Sequence, residues 1–279
     1  MSYGYIPFSK DDLPDGYVVP RDASTIMVVR DHGTLEVLML KRSAKVEFAG
    51  GAHVFPGGSL DEDDFEISRS DRCTGRLESK ARDLLGIDQD ALAFWVCAIR
   101  ECFEESGLLF ARDPSGNPIS LEDPKVKARF GGYREKLNNG EISFSQVCEA
   151  EDLTLALDEL CYFSHWITPE GVPKRFDTRF FVALAPEGQQ AHDDGSETVS
   201  SVWINPTRAI ELGEAGEIQL IFATIRNLEA LGRFEGARAL LDAARAIDSV
   251  PANLPRVLID GREIRILLPG DEGYEDLVG

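Results

Sequence analysis

The sequence predicts an α/β (α+β) fold in which helices cover both faces of a central mixed sheet. Runs rich in β-branched and aromatic residues alternate with longer amphipathic runs, so strands and helices interleave along the chain. Apolar residues make up 43% of the 279 residues, which is enough for a sizeable core. Residues 91–109 are apolar on almost every side and therefore predict a helix inside that core.

The N-terminal part of the chain supplies the start of the sheet and the buried helix. Residues 1–20 are rich in proline and predict an irregular arm. The glycines at 57–58 predict a loop, and the polar, acidic residues 65–90 predict a surface insertion. Asp90 is expected to cap the helix at 91–109. Strands in this part are predicted at residues 24–30, 35–41 and 54–56.

The remainder of the chain continues the alternation. Residues 112–155 predict a second insertion, and Pro206 marks the first turn of a later helix. Residues 256–268 predict a hairpin that turns at Asp260 and Gly261. Strands are predicted at residues 161–166, 176–184 and 199–204, and helices at residues 124–137, 144–151, 218–231 and 233–247.

Charge and cysteine content limit the classes of function. The net charge of −20 argues against a general nucleic-acid or anionic-membrane surface, so a small-molecule partner is expected. The five cysteines are odd in number and lack a Cys-x-x-Cys pair, which favours a reducing cytoplasm over a disulfide framework or a zinc site. Cys97 and Cys102 fall in the apolar helix and are expected to be buried. The longest apolar run, residues 91–99, is too short to span a bilayer.

Three glutamates on the apolar helix are the candidate metal-binding and catalytic residues. Glu101, Glu104 and Glu105 are spaced i, i+3, i+4, so their side chains share one face of the helix. Like charges on one face repel each other unless a cation lies among them. Oxygen ligands of this kind suit Mg²⁺ or Mn²⁺ rather than zinc. Gly107 directly follows this acidic turn, as expected for a helix end or a close backbone approach.

These residues lie in a run that resembles a known family signature. The run Arg-Glu-hydrophobic-x-Glu-Glu-x-Gly-hydrophobic occupies residues 100–108, and a Pro-Gly-Gly loop precedes it at 56–58. The pattern resembles the signature of the Nudix hydrolases. In the first half of the signature, Asp64 stands where the family has glutamate. Between Asp64 and Arg100 there are 35 residues, several times the usual spacing of the family.

This split signature resembles one branch, the Nudix motif 19-like proteins, which are similar to coenzyme A diphosphatases. Residues 38–58 and 165–181 resemble that branch as well, so the resemblance spans roughly residues 24–210. It implies an α/β/α sandwich and a catalytic domain at 20–215 interrupted near 65–90 and 112–155. Residues 216–279 would then form a helical and hairpin extension packed on the same domain.

The resemblance also implies roles for the acidic residues. Glu104 and Glu105 would be the principal ligands of Mg²⁺ or Mn²⁺, and Glu101 would be a third ligand or the base that takes the proton of water. A backbone carbonyl near Gly57 or Gly58 would add a ligand. The late carboxylate of many members is expected from Glu197, with Asp193 or Asp194 as alternatives. Signature positions with a structural role would be Arg100, which holds a carboxylate through a bidentate pair, together with Gly107 and Asp64.

The expected substrate is coenzyme A or an acyl derivative, cleaved to 3′-phosphoadenosine 5′-phosphate and (acyl-)4′-phosphopantetheine. Cations expected to bind its phosphates are Lys41, Arg42, Lys174 and Arg175. Glu47 stands where the coenzyme A motif has arginine. Two alternative functions stay open. One is hydrolysis of ADP-ribose or another nucleoside diphosphate derivative, because the position of Pro124 resembles a spacing of ADP-ribose members; the other is a sensor without catalysis. The sequence also leaves open whether the protein forms a homodimer. The aromatic strands around Trp166 and Phe176 are interpreted as core.

Overall fold

A mixed nine-stranded sheet forms the centre of the protein in the computed structural model, which describes residues 18–45, 49–260 and 263–276. The predicted arm up to residue 17, Glu47, and the hairpin turn at Gly261 therefore lie outside the described residues. The strands are Arg21–His32 (β1), Thr34–Arg42 (β2), Ala52–Val54 (β3), Gly57–Ser59 (β4), Cys73–Thr74 (β5), Ala111–Arg112 (β6), Thr154–Ala156 (β7), Cys161–Ile167 (β8), Phe176–Leu184 (β9), Thr198–Ile204 (β10), Gln219–Leu220 (β11), Ala252–Asn253 (β12), Arg256–Asp260 (β13) and Glu263–Leu267 (β14).

Helices lie on both faces of this sheet. They are Glu62–Ser68 (α1), Glu78–Leu85 (α2), Leu92–Ser106 (α3), Pro124–Asn138 (α4), Phe144–Ala150 (α5), Pro206–Glu214 (α6), Phe222–Leu231 (α7) and Ala237–Arg245 (α8). Among the described residues, none of these helices has the length and apolar character needed to cross a membrane.

The sheet is mixed, as predicted. Its order is β11-β3-β2-β1-β9-β8-β12, with β10 also paired to β2 and β4 also paired to β1. Strands β1 and β9 run parallel, whereas β1 is antiparallel to β2 and to β4. The parallel pair is made by segments far apart in sequence, which requires a long crossover connection. Helix α3 is part of that connection, so its acidic turn is held against the middle of the sheet.

Side chains alternate along β1 between two hydrophobic cores. Ile26 and Val28 belong to the core that contains α3, whereas Met27 and Val29 belong to the core under α6, α7 and α8. Both faces of the strand are therefore buried, and the protein is an α/β/α sandwich as expected. Cys97 and Cys102 are fully buried, which confirms their predicted burial.

Several predicted elements differ from the structure. The strand expected at residues 54–56 lies at Ala52–Val54 (β3). Gly57 and Gly58 were expected in a loop but form the short strand β4 opposite Thr25 and Ser24. A Cβ atom on Gly57 would lie 2.4 Å from the carbonyl oxygen of Ser24, so the close strand approach requires glycine. The expected helix at 218–231 begins only at residue 222, because β11 pairs with β3 first. Pairing with a distant strand overrides the local helical pattern.

The two insertions pack against each other. Strand β7 of the second insertion pairs with β5 of the first and with β6, forming a separate three-stranded sheet. Ile67, Ala81 and Leu85 of the first insertion are buried in the core around α3. The segment 65–90 is therefore more than a surface feature, because its apolar residues help to bury α3.

The C-terminal segment shares the same sheet and core. Strand β11 pairs with β3, and β12 pairs with β8. Leu228 and Leu240 are buried with the residues of β1 and β9 in the second core. The division of the chain at residue 215 stays a prediction.

The N-terminus of α3 is capped by a residue that the sequence did not indicate. Asp90 was predicted to cap α3, but its side chain binds Arg69 and its φ is 57°. The carboxylate of Glu78, from α2, instead accepts hydrogen bonds from the backbone N–H groups of Ala91 and Leu92 at 2.9 and 3.0 Å. Packing of α2 on α3 thus satisfies helix-end donors that a local cap would otherwise satisfy.

We expect Glu78→Ala to lower the free energy of unfolding by about 1–2 kcal/mol, because it leaves two N–H groups of the buried helix end without an acceptor. Urea denaturation would measure the change. Glu66→Ala, at an exposed position of α1, is the matched control and should have almost no effect. Equal stability of the two variants would contradict this capping role.

Candidate active site

The carboxylates of the glutamate run are organised by Arg100. Its guanidinium donates two hydrogen bonds to Asp64, from Nε to Oδ1 at 2.9 Å and from Nη2 to Oδ2 at 2.8 Å. Its Nη1 donates to Glu101 Oε1 at 2.9 Å and to Glu104 Oε2 at 3.1 Å. Arg100 is 5% exposed and Asp64 is fully buried. One arginine therefore fixes two of the three glutamates, and its bidentate partner is Asp64.

Glu105 is fixed by the glycine strand instead. Its Oε2 accepts a hydrogen bond from the backbone N–H of Gly57 at 3.0 Å. On the neighbouring residue, a Cβ atom on Gly58 would lie 2.4 Å from Glu101 Oε1. The Gly58 carbonyl oxygen accepts a weak hydrogen bond from the thiol of Cys97 at 3.6 Å. β4 must lack side chains at these positions because β1 approaches Gly57 closely and the carboxylate of Glu101 approaches Gly58 closely.

Burial makes the charged forms of these carboxylates unfavourable. Burial, opposed by Arg100 and reinforced by Glu104, raises the pKa of Glu101 to about 7. Burial followed by the charges of Glu101 and Glu197 raises the pKa of Glu105 well above its usual value. Burial also raises the pKa of Glu104. A cation among these groups would relieve the same electrostatic cost.

The donor set fits a divalent cation that prefers oxygen. Arg100 and Gly57 each engage a single oxygen of the glutamates that they hold, so Glu101 Oε2, Glu104 Oε1 and Glu105 Oε1 have no hydrogen bond among the described residues. Carboxylate oxygens are the ligands that Mg²⁺ and Mn²⁺ prefer. In the part of the chain that the structure describes, no three acidic, histidine or cysteine side chains converge as a ready-made metal site. The glutamates would therefore adjust their rotamers to hold an ion together.

A distant loop carries a fourth carboxylate to the same place. Glu197 Oε1 accepts a hydrogen bond from Arg42 Nη2 at 2.7 Å, and the Glu197 carboxylate raises the pKa of Glu105. The two alternatives are placed differently. Asp194 accepts the backbone N–H groups of Ser196 and Thr198 and so shapes the turn before β10. The carbonyl of Asp193 accepts a hydrogen bond from Arg134.

One cavity of about 430 Å³ opens beside these groups. Of the predicted site residues, Glu101, Gly58, Glu197, Arg42 and Lys174 line it. The sheet brings them together because β4 pairs with β1, while β10 and β2 place Glu197 beside Arg42. The cavity thus joins the acidic cluster to two cationic side chains.

The structure places the other two predicted cations away from the lining. Lys41 is exposed on β2 and does not line the cavity. Arg175 is buried, and its guanidinium donates to the backbone carbonyls of Thr168 and Val18. Arg175 therefore holds the loop before β9 against the start of the described chain.

The sequence did not reveal the remaining wall of this cavity. Trp166 and Phe176 were interpreted as core, and Trp166 is indeed part of the second core, yet both also line the cavity. Phe222, Val257 and Ile266 line it as well and carried no recognisable signal. Apolar residues that form a binding wall look the same in a sequence as residues that form a core.

A second cavity, of about 570 Å³, lies on the other side of α3 between α4 and the loop around Gln189. None of the four carboxylates lines it. Arg134 lines it and donates to the backbone carbonyl of Glu104 at 2.8 Å. We take the cavity of about 430 Å³ as the candidate active site because Glu101, Glu197 and the glycine strand line it. Glu104 and Glu105 line neither of these two cavities.

Comparison with known proteins gives consistent matches. A family model described as the NUDT19 Nudix domain matches residues 74–229. The chain is 29% identical over 272 residues to the acyl-coenzyme A diphosphatase NUDT19 of Homo sapiens, covering 85% of this chain and 72% of that protein. The Gallus gallus protein of the same name is also 29% identical, over 276 residues, with coverage of 86% and 73%.

A solved structure agrees with the fold. The Nudix hydrolase from Alicyclobacillus acidocaldarius superposes with a TM-score of 0.68 at 28% sequence identity, covering 80% of this chain and 96% of that one. The two chains therefore share the same fold.

Proposed function

The chain belongs to the NUDT19 Nudix domain family, and from that premise we propose that it hydrolyses the diphosphate linkage of coenzyme A and acyl-coenzyme A. The products would be 3′-phosphoadenosine 5′-phosphate and (acyl-)4′-phosphopantetheine. The observation that carries the proposal is the meeting of Glu101 from α3, Gly58 from β4 and Glu197 from a distant loop in one cavity with Arg42. Acidic groups for a cation and basic groups for phosphate are both needed to cleave a diphosphate.

Nudix hydrolases generally use divalent metal ions. We propose that the ion is Mg²⁺ or Mn²⁺ and that Glu101, Glu104 and Glu105 hold it through the oxygens that Arg100 and Gly57 leave unbonded. When bound, such an ion neutralises the diphosphate charge and lowers the pKa of an attacking water. Arg100 keeps the glutamates oriented, and Asp64 keeps Arg100 oriented.

The remaining groups bind substrate or move a proton. Glu101 lines the cavity, so it would serve either as the third ligand of the ion or as the base that takes the proton of the attacking water. Arg42 and Lys174 line the same cavity and would contact the phosphates. Glu197 would contribute the late carboxylate and holds Arg42 in place through their ion pair.

A substrate panel tests this proposal. The pure protein would be incubated with Mg²⁺ or Mn²⁺ and coenzyme A, acetyl-coenzyme A, ADP-ribose, NADH or a dinucleoside polyphosphate. We expect 3′-phosphoadenosine 5′-phosphate from the coenzyme A compounds, and no product when the ion is removed with EDTA. Turnover of ADP-ribose alone would keep the reaction and overturn the substrate. Lack of turnover across the panel with both ions would favour the sensor interpretation.

A further inference from the structure

The candidate active-site cavity extends well beyond the acidic groups. Gly58 lies at one side of it, on β4. The floor then crosses β1 at Ala23, β9 at Phe180 and β8 at Trp166, because these strands are neighbours in that order. Three steps between adjacent strands amount to roughly 14 Å. The cavity is therefore long enough to hold more of a substrate than its diphosphate.

The far part of the cavity is apolar and is closed by the C-terminal hairpin. Val257 of β13 and Ile266 of β14 line it and are direct cross-strand partners, so one face of the hairpin points toward the cavity. Phe222, at the start of α7, lines it too and makes an edge-on contact with Trp166 at 5.9 Å between ring centroids. We call this part, formed by Trp166, Phe222, Val257 and Ile266, the apolar chamber.

The middle of the cavity has polar groups suited to an amide-bearing chain. Thr178 and Thr224 line it between the carboxylates and the hairpin. The indole N–H of Trp166 is buried and lacks a hydrogen-bond partner among the described residues.

We propose that the apolar chamber binds the acyl group of an acyl-coenzyme A, so that the C-terminal hairpin determines which acyl chains are accepted. The inference rests on the proposed function. With the diphosphate at Glu101, the extended pantetheine arm reaches about 15 Å, the length of some four peptide units. This reach matches the distance from Gly58 to Trp166, so the group beyond the thioester would meet the apolar chamber. Burial of an acyl chain against such an apolar wall is favourable because each methylene group removed from water contributes to the binding free energy.

The hairpin lies outside residues 74–229, which the family model matches. It also lies outside the signature at residues 56–108, so its contribution to the cavity is not part of the pattern that predicts the reaction. A separate element that contacts only the distal end of the substrate can change chain-length preference without changing the chemistry.

The test is a profile of kcat/KM against acyl-chain length for coenzyme A and for acetyl-, hexanoyl- and decanoyl-coenzyme A. Val257→Phe fills the chamber, and we expect it to lower kcat/KM for the hexanoyl and decanoyl compounds by about tenfold while coenzyme A stays within about twofold. Val257→Ala enlarges the chamber without adding atoms that could prevent folding, and it should move the preference toward decanoyl-coenzyme A. Val202→Phe, on an exposed part of β10 outside the cavity, is the matched control.

The outcomes separate this inference from the function on which it rests. An equal loss for coenzyme A and hexanoyl-coenzyme A would mean that the chamber holds a part common to both, and it would overturn the acyl assignment. Unchanged profiles in both Val257 variants would remove the hairpin from the site. Failure of the wild-type protein to cleave any of the four compounds would overturn the proposed function, and the acyl assignment would fall with it.

Discussion

Replacing Glu104 by glutamine should lower kcat for coenzyme A hydrolysis by about 10³-fold, which corresponds to about 4 kcal/mol of lost transition-state stabilisation. Glutamine keeps an oxygen that can accept the hydrogen bond from Arg100 Nη1 but removes the negative charge. The fold should therefore survive while the affinity for a divalent cation falls. Steady-state assays with a titration of Mn²⁺ would measure both effects.

The control for this prediction is Glu149→Gln, which makes the same chemical change at an exposed position of α5. It should retain wild-type activity and the wild-type dependence on Mn²⁺. If Glu104→Gln kept most of its turnover at every concentration of the ion, the glutamate run would not be the metal site. In that case the metal-ligand roles proposed for Glu101, Glu104 and Glu105 would be overturned, whereas the assignment of a hydrolase would stand.

Replacing Arg100 by methionine should lower the free energy of unfolding by about 3–5 kcal/mol, because the change leaves the buried carboxylate of Asp64 without its partner. Glu101 and Glu104 lose a hydrogen bond at the same time. Arg208→Met, which breaks an exposed ion pair with Glu211, is the matched control and should change stability by less than about 1 kcal/mol. Urea denaturation would measure all three proteins.

A double replacement and a change of pH would test the physical reason. Asp64→Asn removes the buried charge, so adding it to Arg100→Met should restore part of the lost stability. Burial raises the pKa of Asp64 whereas Arg100 lowers it, so in Arg100→Met the folded protein should hold the Asp64 proton to higher pH than the unfolded chain does. The stability deficit should therefore grow as the pH rises above the pKa of an aspartate in the unfolded chain, which is about 4. A deficit that does not depend on pH, with no rescue by Asp64→Asn, would assign the loss to packing alone.

Arg100 shows which contacts the family signature could predict and which it could not. The resemblance implied that this arginine holds one of the helix carboxylates, and in the structure its guanidinium donates hydrogen bonds to Glu101 and Glu104. The sequence pointed to a glutamate of the same helix, however, whereas the bidentate partner is Asp64. Asp64 is separated from Arg100 by an insertion whose path cannot be read from local pattern. Helix α1 returns Asp64 to α3, and that return depends on tertiary packing.

The sequence by itself determined the features that depend on local spacing. Runs rich in β-branched and aromatic residues predicted the strands at the centre of the sheet. The i, i+3, i+4 spacing predicted that Glu101, Glu104 and Glu105 share a face. The position of Gly107 predicted the left-handed end of α3, where its φ is 74°. Each of these follows from backbone geometry within a few residues.

Tertiary structure alone decided which distant groups meet. It placed Glu197 beside Arg42, gave α3 its cap through Glu78, and brought Val257 and Ile266 to the same cavity as Glu101. These contacts depend on which strands pair and which helices pack, and such choices are set by burial summed over the whole core. A short stretch of sequence does not show how the whole core is buried. The acidic cluster could therefore be recognised from local spacing, whereas the apolar wall of the cavity could be identified only from the folded structure.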